Sequence, residues 1–355
     1  MKALPTISAI EALQRTKASF LDLRSPSEFN DSQLPSSVNL PLLYDNERHE
    51  VGLCYAEKGE QKAIELGHQI LSGDVKAERI RRWRQWAHSV SEPILFCWRG
   101  GLRSQNVQQA LHEEHVVVPR VEGGYKAIRR VLVDLLAGQD WPVIKVISGP
   151  TGSGKTDLIK SIQHSIDLEG LARHRGSVFG AMAPTQPAQA SFENSIAVEL
   201  FFRLQNAFVW AEDEGKLIGR RHLPQLLKER MSQADYVEVE ECVEARAQRL
   251  IGDYLGFKPL SENDISQKQV EVLEQFDRIE RRLGGLVHRK IRSSIEDAFA
   301  HQQRSGEISE HEAWVAELLT RYYDPMYAYQ NERKQGRLLF RGSYQDVKEF
   351  CCQSD

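Results

Sequence analysis

The sequence has no apolar run near the ~18 residues that a membrane-spanning helix requires, and no membrane segment is expected. Its start, MKALPTISAIEALQRTKASF, carries scattered charges and lacks an apolar stretch followed by small residues, so no secretory signal is expected either. Cysteine is scarce. There are five in 355 residues, with Cys351 and Cys352 adjacent, which excludes a disulfide scaffold and points to a reduced, cytoplasmic protein. Repeats and low-complexity tracts are absent, and the 24 Gly and 13 Pro follow no period, so a collagen-like chain is excluded. Nor does one charge dominate: residues 1–140 hold 18 Lys and Arg against 18 Asp and Glu, and the remainder 28 against 32. Neither part is a basic nucleic-acid surface in bulk, so any such contact must come from local patches.

What is present is ordinary globular chemistry, 41% hydrophobic and 27% charged, in a length that fits two domains of the common ~100–200 residues. Ser19–Leu23 and Pro93–Cys97 read as short buried strands, with Val116–Val118 as a third β-branched run. Lys58–Ser72, Ala77–Val90 and Ser104–Glu113 have helical spacing between and after them. Strands alternating with helices predict a parallel α/β sheet. A hinge at Ala137–Pro142 separates a first domain, 1–136, from a second, 143–355, which opens on the strand Val143–Ser148. Beyond Glu241 the pattern turns helical: Leu273, Phe276, Ile279, Leu283, Val287, Ile291, Ile295 and Phe299 recur at three- or four-residue steps, interrupted at Gly284–Gly285.

Between the strand VIKVIS and the helix TDLIKSIQ lies Gly149-Pro-Thr151-Gly152-Ser153-Gly154-Lys155-Thr156, a complete GxxxxGK[ST] phosphate loop in the setting that the motif requires. Its glycines let backbone N–H groups turn inward as an anion cradle, and the helix N-terminus adds favourable partial charge. Lys155 would reach terminal phosphate oxygens, and Thr156 would offer its hydroxyl to Mg²⁺. A partner carboxylate is expected after an apolar run, and Phe208–Glu214 (FVWAEDE) supplies Asp213, or Glu212, for that metal. The same stretch also reads as an acidic turn after a helix, since Asn194–Trp210 has helical spacing too. A diphosphate leaving group would suit the loop as well as ATP.

A second sharp feature is Phe96-Cys97-Trp98-Arg99-Gly100-Gly101-Leu102-Arg103-Ser104. A cysteine at the end of an apolar strand, followed by a Gly-containing loop that opens a helix, sits where N–H groups, Arg99 and Arg103 favour thiolate. Such a thiolate can attack electrophilic sulfur or selenium. Cys54, Cys242, Cys351 and Cys352 have no comparable setting and read as structural. The loop resembles that of rhodanese-like sulfurtransferases, in which Cys-x-x-Gly-x-x-Arg surrounds the nucleophile; Asp22-Leu-Arg24, Glu28-Phe29 and Pro35–Pro41 match as well. Where members usually carry Gly-His-Ile before that proline, this chain has Ser32-Gln-Leu.

With CWRGGLRS, Val121–Arg129 (VEGGYKAIR) and GPTGSGKT in this order, the whole chain resembles the tRNA 2-selenouridine synthases. Leu171–Ser177, Gln186–Glu193, Glu212–Glu214 with Ile218-Gly219, and Tyr322–Tyr327 (YYDPMY) extend the match, which is most diffuse between Asp253 and Glu310. The resemblance implies a rhodanese-like parallel-sheet domain followed by a P-loop NTPase-like α/β domain with a helical C-terminal part. It also implies an enzyme that acts on the wobble uridine of Lys, Glu and Gln tRNAs, replacing the sulfur of 5-substituted 2-thiouridine by selenium. Selenophosphate and geranyl diphosphate are the implied co-substrates, with S-geranylation preceding selenium entry, and selenophosphate synthetase is the implied donor partner.

On that reading Cys97 accepts selenium as a perselenide, while Arg99, Gly100 and Arg103 bind the selenophosphate oxyanion. The phosphate loop, with Mg²⁺ at Thr156 and Asp213, holds geranyl diphosphate. Arginines interleave with tryptophans in Arg81-Arg82-Trp83-Arg84-Gln-Trp86, and this segment, with Arg220 and Arg221, is the expected tRNA contact. An amphipathic helix with Trp83 and Trp86 inside accounts for the segment equally well. Two rival activities fit the same motifs: an ATP-dependent RNA-modifying enzyme, and a sulfur carrier whose phosphate loop is a nucleotide switch.

Overall fold

The computed structural model describes residues 4–138, 140–180, 185–256 and 261–353; Gln139 of the expected hinge lies outside the described residues. Contacts divide the chain into two compact units, Met1–Asp140 with Pro187–Phe202, and Trp141–Gln186 with Arg203–Asp355.

In the first unit, five strands form one parallel sheet: β1 Thr6–Ile7, β2 Ala18–Asp22, β3 Ser37–Asn39, β4 Glu92–Phe96 and β5 Arg120–Val121, in the order β1-β5-β4-β2-β3. Central β2 and β4 pair in register from Ala18 with Glu92 to Asp22 with Phe96. Leu21, Ile94, Leu95 and Phe96 are fully buried, as expected for strands covered on both faces. The third strand falls at Arg120–Val121 rather than at Val116–Val118. Pro119, between the two, has no N–H for a ladder, although its carbonyl accepts from Leu95 N at 3.0 Å.

The helix expected over 58–72 forms as Glu60–Ile70, and a further helix that the spacing does not indicate, Asp45–Lys58, precedes it, the two divided at Gly59 with φ +82°. Gly73–Ser89 follows, with Trp83 and Trp86 buried. The later helix Gln189–Phe202 completes this unit: Asn194 Nδ2 donates to Gln33 O (2.7 Å) and Tyr125 Oη (3.0 Å), and Arg129 pairs with Glu193.

The second unit has its own parallel sheet: β6 Val143–Ser148, β7 Ser165–Ile166, β8 Phe208–Glu212, β11 Tyr236–Val239 and β12 Leu338–Gly342, ordered β12-β11-β6-β8-β7. The short β9 Leu217–Ile218 and β10 Arg221–His222 form an antiparallel pair beside it. Central β6 ends at Ser148 and delivers the chain directly into the phosphate loop. Phe208–Glu212 is a strand, with the helix before it ending at Phe202, so the strand reading of FVWAE holds. The helical part packs its own core, in which Phe276, Ile291, Ile295, Phe299 and Leu319 are fully buried. Glycine at 284, with φ +87°, separates Glu280–Leu283 from the long helix Gly285–Ser305.

Candidate active site

β4 carries Cys97 to its C-terminal end, where the side chain is 2% exposed. The thiol donates to Ser104 Oγ at 3.2 Å, and Ser104 Oγ donates to Gly101 O at 3.0 Å. Helix Leu102–Glu113 begins immediately after Gly101, so the loop meets a helix N-terminus, the end whose partial charge favours an anion. Two glycines hold the loop from the other side. Gly123 and Gly124 have φ +70° and +60°, and a Cβ on Gly124 would collide with Cys97 O. That close approach lets Tyr125 N and Lys126 N donate to Cys97 O (2.8 Å) and Trp98 O (3.0 Å).

Below the loop, Arg24 is fully buried with Asp22, at 2.6 Å. Its guanidinium lies 3.9 Å from the Tyr125 ring centroid and donates to Ser32 O at 2.6 Å. Burial pushes the Asp22 carboxyl upward against the opposing pull of Arg24. Of the predicted oxyanion binders, Arg99 is exposed and Gly100 is buried with φ +68°. Arg103 is half-buried and pairs with Glu28 at 2.7 Å, a carboxylate that Arg48 approaches at 3.3 Å. Although burial alone raises its pKa, the two arginines and the Ser25 N–H hold Glu28 below the usual glutamate range.

In the second unit the phosphate loop borders a cavity of about 230 Å³, which Gly149, Thr151, Gly152, Gly154, Lys155 and Thr156 help to line. Ser153 is buried behind it. Lys155 Nζ donates to Gly149 O (2.7 Å) and Pro150 O (3.3 Å). The hydroxyl of Thr156 donates to Glu169 Oε2 at 2.7 Å. Asp213 also borders the cavity, but its carboxylate accepts from Ser148 Oγ at 3.0 Å and pairs with Lys334 at 2.8 Å. Burial, reinforced by Glu169, raises Glu212 to about 8 and Glu214 well above the glutamate range.

Glu169, Arg246, Arg249 and Lys334 are site residues absent from the sequence reading. Arg246 donates to Thr151 O at 2.9 Å and pairs with Asp324; Arg249 donates to Gly152 O at 2.5 Å. Their signal was the i, i+3 arginine pair on one helix, Val243–Leu255. The YYDPMY stretch finds its purpose here too. Asp324 holds Arg246, and Tyr327 Oη donates to Glu238 at 2.6 Å beside Ser148.

The predicted RNA-facing arginines belong to both units. Arg81 pairs with Glu78 and Arg84 with Glu114, both at 2.7 Å, while Arg82 donates to Tyr44 Oη. Arg220 is exposed and Arg221 half-buried on the β9–β10 pair. Among the described residues no helix is long and apolar enough to cross a membrane, and no cluster of three His, Cys, Asp or Glu side chains is set for a metal ion.

Residues 142–355 match the family model described as the tRNA 2-selenouridine synthase AAA domain, and residues 7–130 match the rhodanese-like domain. A tRNA 2-selenouridine synthase of Cupriavidus necator is 42% identical over 98% of this chain and 97% of its own. One from Pseudomonas fluorescens is 44% identical over 94% of each. A third, from Marinobacter nauticus, is 42% identical over 93% of each. With both halves matched in order and relatives aligned almost end to end, the chain belongs to the tRNA 2-selenouridine synthase family.

Proposed function

We propose that this protein replaces the 2-thio sulfur of the wobble uridine (position 34) of Lys, Glu and Gln tRNAs by selenium, in two steps. First the sulfur of 5-substituted 2-thiouridine attacks C1 of geranyl diphosphate; an S–C bond forms, the C–O bond breaks and diphosphate leaves. Then selenium, freed from selenophosphate by cleavage of its Se–P bond, adds to C2: the C–Se bond forms, the C2–S bond breaks and the geranylated sulfur departs as geranylthiolate. A thiocarbonyl sulfur leaves poorly, whereas its S-alkyl form leaves well and makes C2 electrophilic. The observation that carries this reading is the presence, in one chain of this family, of a loop-held buried thiol at Cys97 and a polar cavity around the phosphate loop.

Lys155 and the inward N–H groups of Gly149–Thr156 stabilise the charge that develops on the departing diphosphate. Mg²⁺ needs only one or two protein oxygens when phosphates supply the others. The Thr156 hydroxyl and the Glu169 carboxylate fit that need better than Asp213, which is committed to Lys334. When bound there, the ion would supply charge neutralisation. Cys97 handles selenium, with Arg99, Gly100 and Arg103 at the selenophosphate oxyanion. Arg81, Arg82, Arg84, Arg220 and Arg221 contact the RNA backbone. Selenophosphate synthetase is the donor partner, and the cytoplasm is the compartment.

Nucleoside mass spectrometry of 2-thiouridine tRNA tests this. Geranyl diphosphate alone should give the S-geranyl nucleoside, and adding selenophosphate should give 2-selenouridine, without ATP. Formation of product only with ATP, consumed in step with tRNA, would replace this reading by an ATP-dependent one.

A further inference from the structure

Beside the cysteine loop, the first unit holds a second cavity, about 580 Å³ in volume and of opposite character to the one at the phosphate loop. Leu42, Leu43, Val51, Leu53, Ile64 and Leu71 supply apolar walls, Val51, Leu53 and Ile64 of them from the paired helices Asp45–Lys58 and Glu60–Ile70. The first of these helices buries none of its residues, and its Leu53 and Tyr55 remain 48% and 58% exposed. An open hollow with mostly apolar walls has the character of a ligand site, and the volume lies within the ~300–1,000 Å³ of small-molecule pockets.

The cavity is tied to the nucleophile. Leu42 and Leu43 belong to the same buried cluster as Cys97. Arg103, on its wall, precedes Ser104, the hydrogen-bond partner of the Cys97 thiol. Cations stand among the apolar walls on that side: Arg48 and Arg103 both line the cavity and share Glu28. With Glu60 as the lining carboxylate and the two arginines shared with Glu28, an apolar body with an anionic or polar end towards the Cys97 loop matches this lining.

We propose that this cavity receives the geranyl chain of the S-geranyl-2-thiouridine intermediate, leaving C2 of the base at the Cys97 loop and a neighbouring anticodon phosphate at Arg48. The assignment rests on the two-step reading above and deepens it: the prenyl group is the only long apolar body in that reaction. It serves as a handle for the second step, so the modified tRNA is recognised by its tail and not by its sequence alone. No bond changes in this binding event. Geranylthiolate, once released from C2, leaves with its chain in the same cavity.

The test is binding of two synthetic anticodon stem-loops to the full-length protein, one with S-geranyl- and one with S-methyl-2-thiouridine. The wild-type protein should hold the geranyl form at least tenfold more tightly. Gly52 borders the cavity, and a Cβ there meets nothing within 4 Å, so Gly52→Phe fills the hollow without a backbone clash. It should bring the ratio of the two affinities close to one. Leu53→Asp, at an exposed wall position, should do the same through polarity rather than volume, so the test survives if one variant misfolds.

Equal wild-type affinities, or a preference kept by both variants, would overturn the proposal. So would a concentration-dependent dimer that Leu53→Asp abolishes, because a second copy of the chain would then be the occupant. Synthetic ligands keep this assay independent of turnover. A protein that prefers the geranyl form yet makes none from geranyl diphosphate would contradict the proposed first step and leave the cavity assignment standing.

Discussion

The Thr156 hydroxyl donates to Glu169 at 2.7 Å, and Glu169 accepts in addition from the backbone N–H of Gly176. One carboxylate thus joins the start of the phosphate-loop helix to a segment thirteen or more residues downstream. Mg²⁺ held by this pair predicts that chelation by EDTA slows geranylation by wild-type protein. Thr156→Val, nearly isosteric, should be slow from the outset and gain no further sensitivity to EDTA. Equal slowing of both proteins by EDTA would remove Thr156 from the metal.

Lys155 rests on the Gly149 and Pro150 carbonyls, neutral partners that it can exchange for phosphate oxygens. Lys155→Ala should lower the geranylation rate by about 10²–10³-fold, the usual loss when one preorganised donor to developing charge is removed. The same variant, given tRNA already geranylated, should still install selenium. An unchanged geranylation rate would contradict the assignment of diphosphate to this loop.

Cys97→Ser should keep forming the S-geranyl nucleoside and stop there. The phosphorus product then tells how the thiol acts. Attack of the thiolate on selenium makes an S–Se bond and sends phosphorus away with the electron pair as phosphite, after which an external thiol must release the selenium. Hydrolysis at phosphorus instead gives phosphate and hydroselenide with no change of oxidation state. The carrier role expects phosphite by ³¹P NMR; phosphate alone would make Cys97 a positioning residue.

Arg24 and Asp22 form a fully buried pair under the cysteine loop. Arg24→Met leaves the Asp22 carboxylate buried without its partner and should cost about 3–5 kcal/mol in urea unfolding. Removing both charges, as Asp22→Asn with Arg24→Met, should cost less than the single change. A single variant within about 1 kcal/mol of wild type would show that the pair adds little to stability.

His311 is buried, and burial lowers its pKa from 6.5 to about 4. Trp314 Nε1 donates to His311 Nδ1 at 2.9 Å, so the proton sits on Nε2, 3.0 Å from Gln302 Oε1. The unfolded chain binds a proton near pH 6.5 and the native imidazole does not until about pH 4, so the stabilising term is complete above 6.5 and lost as pH falls towards 4. Thermal melts should show wild type losing stability between pH 7 and 5 more steeply than His311→Gln. Parallel slopes would reassign the acid sensitivity elsewhere.

Much of this was legible in the chain, for identifiable reasons. Both functional loops follow strands buried on both faces, and such strands advertise themselves as short apolar runs, as PILF before Cys97 and VIKVIS before Gly149 do. Gly284 likewise marked a real break, because only its positive φ allows the chain to leave one helix and enter the next. The third strand was misplaced because β-branched residues at 116–118 imitate one, whereas pairing is decided by which backbone groups face β4. Glu169 and Lys334 were invisible for a different reason. Each reaches the phosphate loop only through folding, and a lone acid or lysine carries no periodic signal. The helix Asp45–Lys58 escaped because a helix that buries nothing has weak amphipathic patterning.

The helix Gln189–Phe202 lies far along the chain from the rest of its unit, and Asn194 on it supports both Gln33 and Tyr125. A gene fragment stopped at residue 140 would therefore produce a sulfurtransferase-like half lacking a structural brace for the very tyrosine that donates to the Cys97 carbonyl. Complementation between two separately expressed pieces would succeed or fail according to which piece keeps that helix, and a break placed at residue 140 would make a poor dividing line unless the brace were grafted back onto the first piece.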